Sequence, residues 1–315
     1  EAPMSRAVCD VPLILMTSTR PLESIESAPA FAGRVAMIAG APIVAPVVAE
    51  TTMRFNTWFY QLQNVEPDTV AAIKADLKVI DPTRDGLHYW KSADINKMRG
   101  EGETIVAYLS IGEAENYRQY WDASWKPGSP QWLGPENPEW KGNYKVRYWN
   151  MDWQRTVLFQ LDTILSQGFD GVYLDIIDAY EYWRDQGVDD AADRMVDFVS
   201  DISDRGKRIR KDFLIIPQNG AGLLTFDRYV AKIDAIARED MLYGENHDGV
   251  QNDRRIQIKN LDELEPMHKA KKDVLAVEYG LFDSQKNRAR IVLGNEGIVP
   301  YFTTRDLDEP TEPQA

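Results

Sequence analysis

The sequence has very little cysteine and histidine. Its 315 residues include one cysteine, Cys9, and three scattered histidines, His88, His247 and His268. A single cysteine excludes an internal disulfide, and the histidines do not have the spacing of metal ligands. We therefore expect no cofactor and no metal, although a site built from carboxylate oxygens alone would need no sequence motif.

Basic residues are few compared with acidic ones. The chain has 36 Lys and Arg against 50 Asp and Glu, a formal net charge of −14. Nucleic acids and anionic membrane surfaces are bound mainly through Lys and Arg. The charge therefore argues against nucleic acid as a partner and favours a cationic or neutral one, and we expect a monomer without stable membrane insertion.

Long apolar runs are also scarce, with one exception at residues 35–49 (VAMIAGAPIVAPVVA). This uncharged run follows Arg34 and ends in small residues, which is typical of a secretory signal, and it is too short and proline-interrupted to span a bilayer well. Because 34 residues precede it, an apolar linker is the alternative. We predict a poorly structured extension over residues 1–50 and a secreted or periplasmic location.

From residue 57 onward, short apolar runs alternate with amphipathic stretches of helical length. The pattern predicts strands at residues 57–63, 77–81, 104–111, 171–177, 213–218, 235–239, 274–279 and 298–303. It predicts helices at residues 68–75, 90–99, 153–167, 190–211, 222–230, 261–272 and 284–293. Eight such units predict an α/β fold, a single-domain (β/α)₈ barrel over residues 51–310 with a tail at 311–315. A doubly wound sheet is the competing fold, but the chain has neither a dinucleotide-binding glycine fingerprint nor a phosphate loop.

Acidic residues recur at the predicted strand ends, which line the active site of such a barrel. Asp175 lies in GVYLDII on the same strand face as Tyr173, inside an apolar run. A buried carboxylate is costly without a partner or a function. Glu239 and Glu278 also end apolar runs, in phase with small residues. Two carboxylates across one cleft are typical of glycoside hydrolysis, and a metal site made from the same acids is the alternative.

Aromatic residues accompany these acids. Trp58 and Tyr60 lie in the first predicted strand, Tyr180 follows Asp175, and further rings crowd residues 112–150. Such rings can stack on sugar faces or on a cationic group. For any single ring, packing of the long loop is the simpler interpretation.

Several long motifs resemble one known family. The runs AYLSIGEAENYRQYW, WLGPENPEWKGNYKVRYWN and GFDGVYLDIIDAYEYW, followed by QNG and AIARED, are similar to glycoside hydrolase family 114, the endo-α-1,4-polygalactosaminidase-like barrels. The similarity covers residues 56–306. Some members carry an older label as cysteinyl-tRNA-synthetase-related proteins, but the chain lacks the synthetase HIGH and KMSKS signatures.

The resemblance implies a hydrolase of α-1,4-linked galactosamine polymers, whose free amines are cationic. It implies Asp175 as nucleophile and Glu239 as general acid/base, and we predict a retaining reaction. The expected binding residues are Trp58, Tyr60, Asp81, Glu113, Glu115, Asp178, Tyr180, Asn219, Glu278 and Asp306. Two other functions stay open, a non-catalytic barrel that binds amino sugars and a hydrolase of a different exopolysaccharide.

Overall fold

Eight parallel strands carry the apolar runs in the computed structural model, which describes residues 54–313. In chain order, the strands of this part of the chain are β1 (Trp58–Gln61), β2 (Leu77–Ile80), β3 (Thr104–Ser110), β4 (Glu113–Glu115), β5 (Leu133–Glu136), β6 (Asn143–Val146), β7 (Gly171–Asp175), β8 (Leu214–Pro217), β9 (Ala235–Glu239), β10 (Asp273–Tyr279) and β11 (Ile298–Thr303). The helices are α1 (Pro67–Ala72), α2 (Ser92–Arg99), α3 (Met151–Gln167), α4 (Ala179–Asp185), α5 (Ala191–Ile209), α6 (Asp227–Lys232), α7 (Arg254–Asp262), α8 (Glu265–Lys269) and α9 (Asp283–Asn295), with a 3₁₀ turn at Ala221–Thr225.

The parallel strands form a closed (β/α)₈ barrel. They pair in the order β1-β2-β3-β7-β8 and β9-β10-β11, and a bridge between Gln218 and Ala237 joins β8 to β9. On the other side, the Trp58 indole donates to the Val299 carbonyl at 3.1 Å and brings β1 against β11. All eight predicted strands are present, and the predicted barrel is confirmed over the open doubly wound sheet.

The barrel interior is filled by large rings rather than open space. The Trp58 ring lies 6.0 Å from Tyr60, 6.3 Å from Tyr173 and 5.4 Å from Tyr301. All four side chains are at most 2% exposed. The interior is therefore a packed core, as in other barrels of this size, and any ligand must bind above it at the strand ends.

The segment predicted as a long loop contains regular structure. Strands β4, β6 and β5 form a small antiparallel sheet in that order, and the short helix α4 follows β7. Two predicted helices are divided: residues 261–272 overlap the separate helices α7 and α8, because Pro266 occupies the first turn of α8. Residues 222–230 form a 3₁₀ turn followed by α6.

The predicted extension over residues 1–50, including the signal-like run, lies outside the described residues. In the predicted tail, the Tyr301 hydroxyl donates to the Thr311 carbonyl at 2.9 Å and holds the chain against β11. Between residues 54 and 313, no helix combines the length and apolar character required to cross a membrane.

Candidate active site

A cleft of about 850 Å³ opens over the carboxyl ends of the barrel strands. It brings together nine of the twelve predicted site residues, namely Tyr60, Asp81, Glu113, Glu115, Asp175, Asp178, Asn219, Glu239 and Asp306. These residues are up to 246 positions apart in the chain. Only closure of the barrel makes them neighbours.

Asp175 is the last residue of β7, and donors hold both of its carboxylate oxygens. The Tyr108 hydroxyl donates to Oδ2 at 2.8 Å, and the Ile176 backbone N–H donates to Oδ1 at 2.8 Å. Burial, followed by the nearby charge of Glu239, raises the pKa of Asp175 to about 8. The two hydrogen bonds act in the opposite direction because they stabilise the carboxylate.

Glu239 is the last residue of β9 and is held in the same way. The Tyr279 hydroxyl donates to Oε1, and the Asn219 side-chain amide donates to Oε2 at 2.9 Å. Asn219 also accepts from the Glu239 backbone N–H at 3.1 Å. Each candidate acid is thus oriented by one tyrosine hydroxyl and one N–H donor.

The two acids interact electrostatically across the cleft, since the charge of Glu239 contributes to the raised pKa of Asp175. A like charge nearby disfavours ionisation of a carboxyl group. Asp175 therefore keeps its proton at neutral pH more readily than an ordinary aspartate does.

Both acids are followed by a residue in the left-handed backbone region. Ile176 has φ +57° and Asp240 has φ +54°. For a β-branched residue this conformation is a clear outlier, and such positions typically cost about 1–3 kcal/mol. Asp240 is fixed by two hydrogen bonds from Arg305, at 2.8 and 2.9 Å. The surrounding structure therefore holds each strained turn in place directly beside a carboxylate.

Gly112 is required for the first of these turns. A Cβ at Gly112 would lie 2.1 Å from the Ile176 carbonyl oxygen and 2.6 Å from the Ala179 Cβ. We expect Gly112→Ala to lower the free energy of unfolding by about 1–3 kcal/mol, because the turn would have to move. Urea unfolding measures the change. Gly294→Ala is the control, since its Cβ would meet nothing within 4 Å. Equal stability of the two variants would contradict this packing.

Several cleft acids are already neutralised by internal cations. Arg118 bonds both Asp81, at 2.8 Å, and Glu115, at 2.7 Å. Lys145 bonds Glu113 at 2.6 Å. Asp81, Glu113 and Glu115 line the cleft as expected, and each is paired with a cation of the protein. Their role as substrate-binding residues stays a prediction, and the ion pairs leave them less charge for a substrate ammonium.

Other cleft acids have no such partner. Nine acidic and five basic side chains line the cleft. Asp178 and Asp306 are exposed there and form no ion pair within residues 54–313. Desolvation of the carboxyl group by the cleft walls, together with the charges of Glu181 and Glu239, raises the pKa of Asp178 to about 6. The cleft therefore keeps an excess of negative charge that a cationic ligand would relieve.

Three predicted binding residues do not line the cleft. Trp58 is fully buried in the barrel core. Tyr180 packs on α4, and its hydroxyl donates to Glu181 at 3.1 Å. Glu278 is fully buried and accepts the backbone N–H groups of Leu242 and Tyr243 at 2.8 and 3.1 Å. Their assignment as substrate contacts is corrected, because packing or internal hydrogen bonds occupy these side chains.

The cleft also contains residues that we did not predict. Tyr108 and Tyr279 orient the two acids, and Arg118, Lys145 and Arg305 supply its buried or partly buried positive charge. Trp140 lines the rim and is 52% exposed, unlike the neighbouring Trp132, which is buried. The phase of Tyr108 on β3 could have indicated its position, since it pairs with Tyr173 on β7.

Within the described part of the chain, no three His, Cys, Asp or Glu side chains are grouped so that they could hold a metal ion. Five of the cleft carboxylates are held by cations or by hydroxyl and N–H donors, namely Asp81, Glu113, Glu115, Asp175 and Glu239. Carboxyl groups placed in this way can transfer protons or act as nucleophiles.

Comparison with known sequences places the chain in a family. The profile of Glycoside-hydrolase family GH114 matches residues 41–314, a range that starts inside the predicted extension. An uncharacterized protein of Thermotoga maritima is 36% identical over 270 residues, 81% of this chain and 83% of that protein. The uncharacterized protein MJ1477 of Methanocaldococcus jannaschii is 38% identical over 270 residues, 80% of this chain and 77% of the relative.

Solved structures show the same fold. The glycoside hydrolase domain of PelA from Pseudomonas aeruginosa has a TM-score of 0.64 at 18% identity, covering 82% of this chain and 98% of that one. Aspergillus fumigatus Ega3, solved as a complex with galactosamine, has a TM-score of 0.64 at 18% identity, covering 84% and 96%. With the matched profile, the barrel and the paired acids of the cleft, these similarities identify the chain as a glycoside hydrolase belonging to family GH114.

Proposed function

We propose that this hydrolase cleaves α-1,4-linked galactosamine polysaccharide, with Asp175 and Glu239 as its catalytic pair. The observation that carries the proposal is the meeting of these two acids in one cleft, each held by a tyrosine hydroxyl and an N–H donor. The galactosamine complex of Ega3 supports an amino sugar as the unit that is recognised.

The proposed reaction is a double displacement. Asp175 attacks the anomeric carbon while Glu239 gives its proton to the leaving glycosidic oxygen, so that a glycosyl ester forms and the glycosidic bond breaks. Glu239 then removes a proton from water, and the water oxygen displaces Asp175 from the sugar. The step starts with Asp175 ionised and one proton on Glu239, so the proton that Asp175 holds through its raised pKa must pass to Glu239 when the substrate binds.

Substrate charge helps to place that proton. Burial and the charge of Glu239 raise the pKa of Asp175 to about 8. Positive charge on the bound sugar, or on the sugar ring as the bond breaks, favours the ionised form of Asp175. The proton of the pair then moves toward Glu239, where it is needed for the leaving group.

Unpaired acids on the cleft walls supply recognition of the amine. Asp178 and Asp306 are exposed to the cleft and form no ion pair with any residue that the structure describes, whereas Asp81 and Glu115 share Arg118. A substrate ammonium near Asp178 would also lower the raised pKa of that carboxyl. This preference for a cation distinguishes the proposal from a hydrolase of a neutral glycan.

The proposal predicts how activity depends on pH. Because the pKa of Asp175 is raised to about 8, the pair keeps its proton below that pH and loses it above. We expect kcat/KM to fall about tenfold per pH unit above pH 8. Tyr108→Phe should move this alkaline limb upward, since the lost hydroxyl stabilises the carboxylate. Tyr148→Phe, whose hydroxyl bonds the Ala191 carbonyl at 2.7 Å, is the control and should leave the limb in place.

The direct test is release of reducing ends from purified polymers. The deacetylated galactosamine polymer should be cleaved at least about tenfold faster than its fully N-acetylated form, since acetylation removes the ammonium that the acids recognise. Equal rates on the two polymers would remove the argument from charge. Binding without any release of reducing ends would favour the non-catalytic alternative.

We also propose that the enzyme acts outside the cytoplasm. The support is the signal-like pattern of residues 35–49 in the sequence. Immunodetection in cell fractions tests this location. Recovery of all the protein in the cytoplasmic fraction would contradict it.

A further inference from the structure

A second groove is lined by residues of the small antiparallel sheet and of α4. It has a volume of about 510 Å³, and we call it the aromatic groove after its lining by Leu133, Pro135, Arg147, Trp149, Tyr182 and Trp183. Its chemistry differs from that of the cleft, because no Asp or Glu among residues 54–313 lines it. Apolar rings with a few polar groups at the edge are the usual lining of a small-ligand site.

The rings of the aromatic groove are held rigidly. Trp183 is buried, and its indole N–H donates to the Val146 carbonyl at 2.8 Å. Trp149 and Tyr182 pack edge to face on Trp183, at centroid distances of 5.2 and 5.1 Å, and remain partly exposed. Arg194 stacks on the Trp149 ring at 4.9 Å. A preorganised ring loses little conformational freedom when a ligand stacks on it.

The aromatic groove and the cleft are lined by neighbouring residues of one segment. Asn143 and Lys145 of β6 line the cleft, and Arg147, two residues further along the chain, lines the groove. The Lys145 ammonium lies 5.4 Å from the Tyr182 ring centroid. Tyr182 therefore stands next to the cleft wall, and a linear chain that leaves the cleft past Lys145 meets the groove.

We infer that the aromatic groove is an accessory binding site for uncharged sugar units of the polymer whose hydrolysis is proposed above. Pyranose rings have apolar faces that stack on Trp and Tyr. The groove lacks an acid to match an ammonium, and the Arg147 guanidinium would repel one. It therefore selects N-acetylated or neutral units, while the acidic cleft takes cationic ones. The inference rests on the proposed function for the identity of the polymer.

The test uses Trp149→Ala, because Trp149 does not line the cleft. In a Glu239→Gln background, which separates binding from hydrolysis, affinity electrophoresis in a partly N-acetylated galactosamine polymer should show about fivefold weaker binding. In the active enzyme, KM for that polymer should rise about fivefold. The kcat/KM for a short oligosaccharide that fills only the cleft should stay within about twofold.

A second test variant and a control accompany Trp149→Ala. The second test variant, Gln186→Ala, alters an exposed residue of the groove and should weaken polymer binding about twofold, with no effect on folding. Phe159→Ala removes a ring that is 68% exposed on α3, outside both sites, and should change neither affinity nor KM. Thermal unfolding of each variant checks that Trp149→Ala folds.

Unchanged polymer affinity and KM in both Trp149→Ala and Gln186→Ala would overturn the inference. The same unchanged values are expected if the groove binds a second copy of the chain or a peptide segment instead of sugar. Failure of the proposed function is a separate result, since the parent enzyme would then release no reducing ends. The electrophoresis with Glu239→Gln still reports on the aromatic groove in that case.

Discussion

Asp175→Asn and Glu239→Gln should each lower kcat on the deacetylated polymer by about 10³-fold or more, while affinity changes little. Each substitution keeps the size of the side chain and removes its ability to ionise or to carry the transferable proton. A positioned acid or base contributes about 10²–10⁴-fold to such reactions, and loss of the nucleophile also removes the covalent intermediate. Reducing-end kinetics measure kcat, and calorimetric titration with a short oligomer measures affinity.

Asp306→Asn is the matched control for this experiment. Asp306 lines the same cleft and is exposed, so its substitution removes one negative charge without touching the pair. We expect KM to rise a few-fold and kcat to stay within about tenfold of the parent value. If Asp175→Asn or Glu239→Gln behaved like Asp306→Asn, the proposed chemistry would be wrong.

Azide can determine which acid plays which part. With an activated glycoside and azide, Asp175→Ala should give the glycosyl azide of inverted anomeric configuration, because azide enters from the side of the missing nucleophile. Glu239→Ala should give the retained azide, since azide attacks the glycosyl ester on Asp175. The opposite pair of products would exchange the two roles. NMR of the anomeric proton distinguishes the products.

The barrel could be predicted from the sequence because its strands are separate apolar runs. Each run is buried on both faces, as Gly171–Asp175 shows with four of five residues buried, and such continuous runs typify parallel strands. The small antiparallel sheet has no comparable signal. Its strands EAE, LGPE and NYKV have three or four residues and no long apolar run. They are defined by pairing with each other, across up to 32 positions of the chain.

The place of Asp175 and Glu239, the proposed catalytic pair, could be predicted for the same reason, because a carboxylate at the end of an apolar strand is easily recognised. The ion pairs could not. Whether Asp81 is free for a ligand depends on Arg118, 37 positions away, whose side chain reaches it only after β4 folds over the barrel mouth. Glu278 lies in a strand as predicted. Its carboxylate, however, accepts hydrogen bonds from backbone N–H groups and does not face the cleft. The alternation of residues along a strand thus predicts which face a side chain lies on, but it does not predict the hydrogen-bond or ion-pair partners of that side chain.

Arg118 is the residue whose loss should destabilise the fold most. Its guanidinium bonds Asp81 and Glu115, and all three side chains are at most 10% exposed. Arg118→Met keeps the apolar volume and leaves two buried carboxylates without a cation. Breaking a buried ion pair in this way typically costs about 3–5 kcal/mol. We expect a loss of that size in the free energy of urea unfolding at pH 7.

Arg155→Met is the control, because Arg155 pairs with Asp152 at 2.8 Å on the surface, where the two side chains are 68% and 69% exposed. Exposed pairs contribute about 0–1 kcal/mol, so this variant should unfold much like the parent. If Arg118→Met lowered the free energy of unfolding no more than Arg155→Met does, the ion pairs of Arg118 would behave as exposed pairs, which would contradict their burial.

The pH dependence separates uncompensated charge from lost packing. Burial already raises the pKa of Asp81 against the opposing effect of Arg118, and removal of the cation raises it further. A group whose pKa is higher in the folded state than in the unfolded state loses stability as pH rises between the two values. The deficit of Arg118→Met should therefore be largest at pH 7 and shrink toward pH 4, where the carboxyls are protonated. Adding Asp81→Asn and Glu115→Gln to Arg118→Met should recover part of the lost stability at pH 7, because the two uncompensated charges are then removed. A loss caused by a packing defect would instead persist at both pH values.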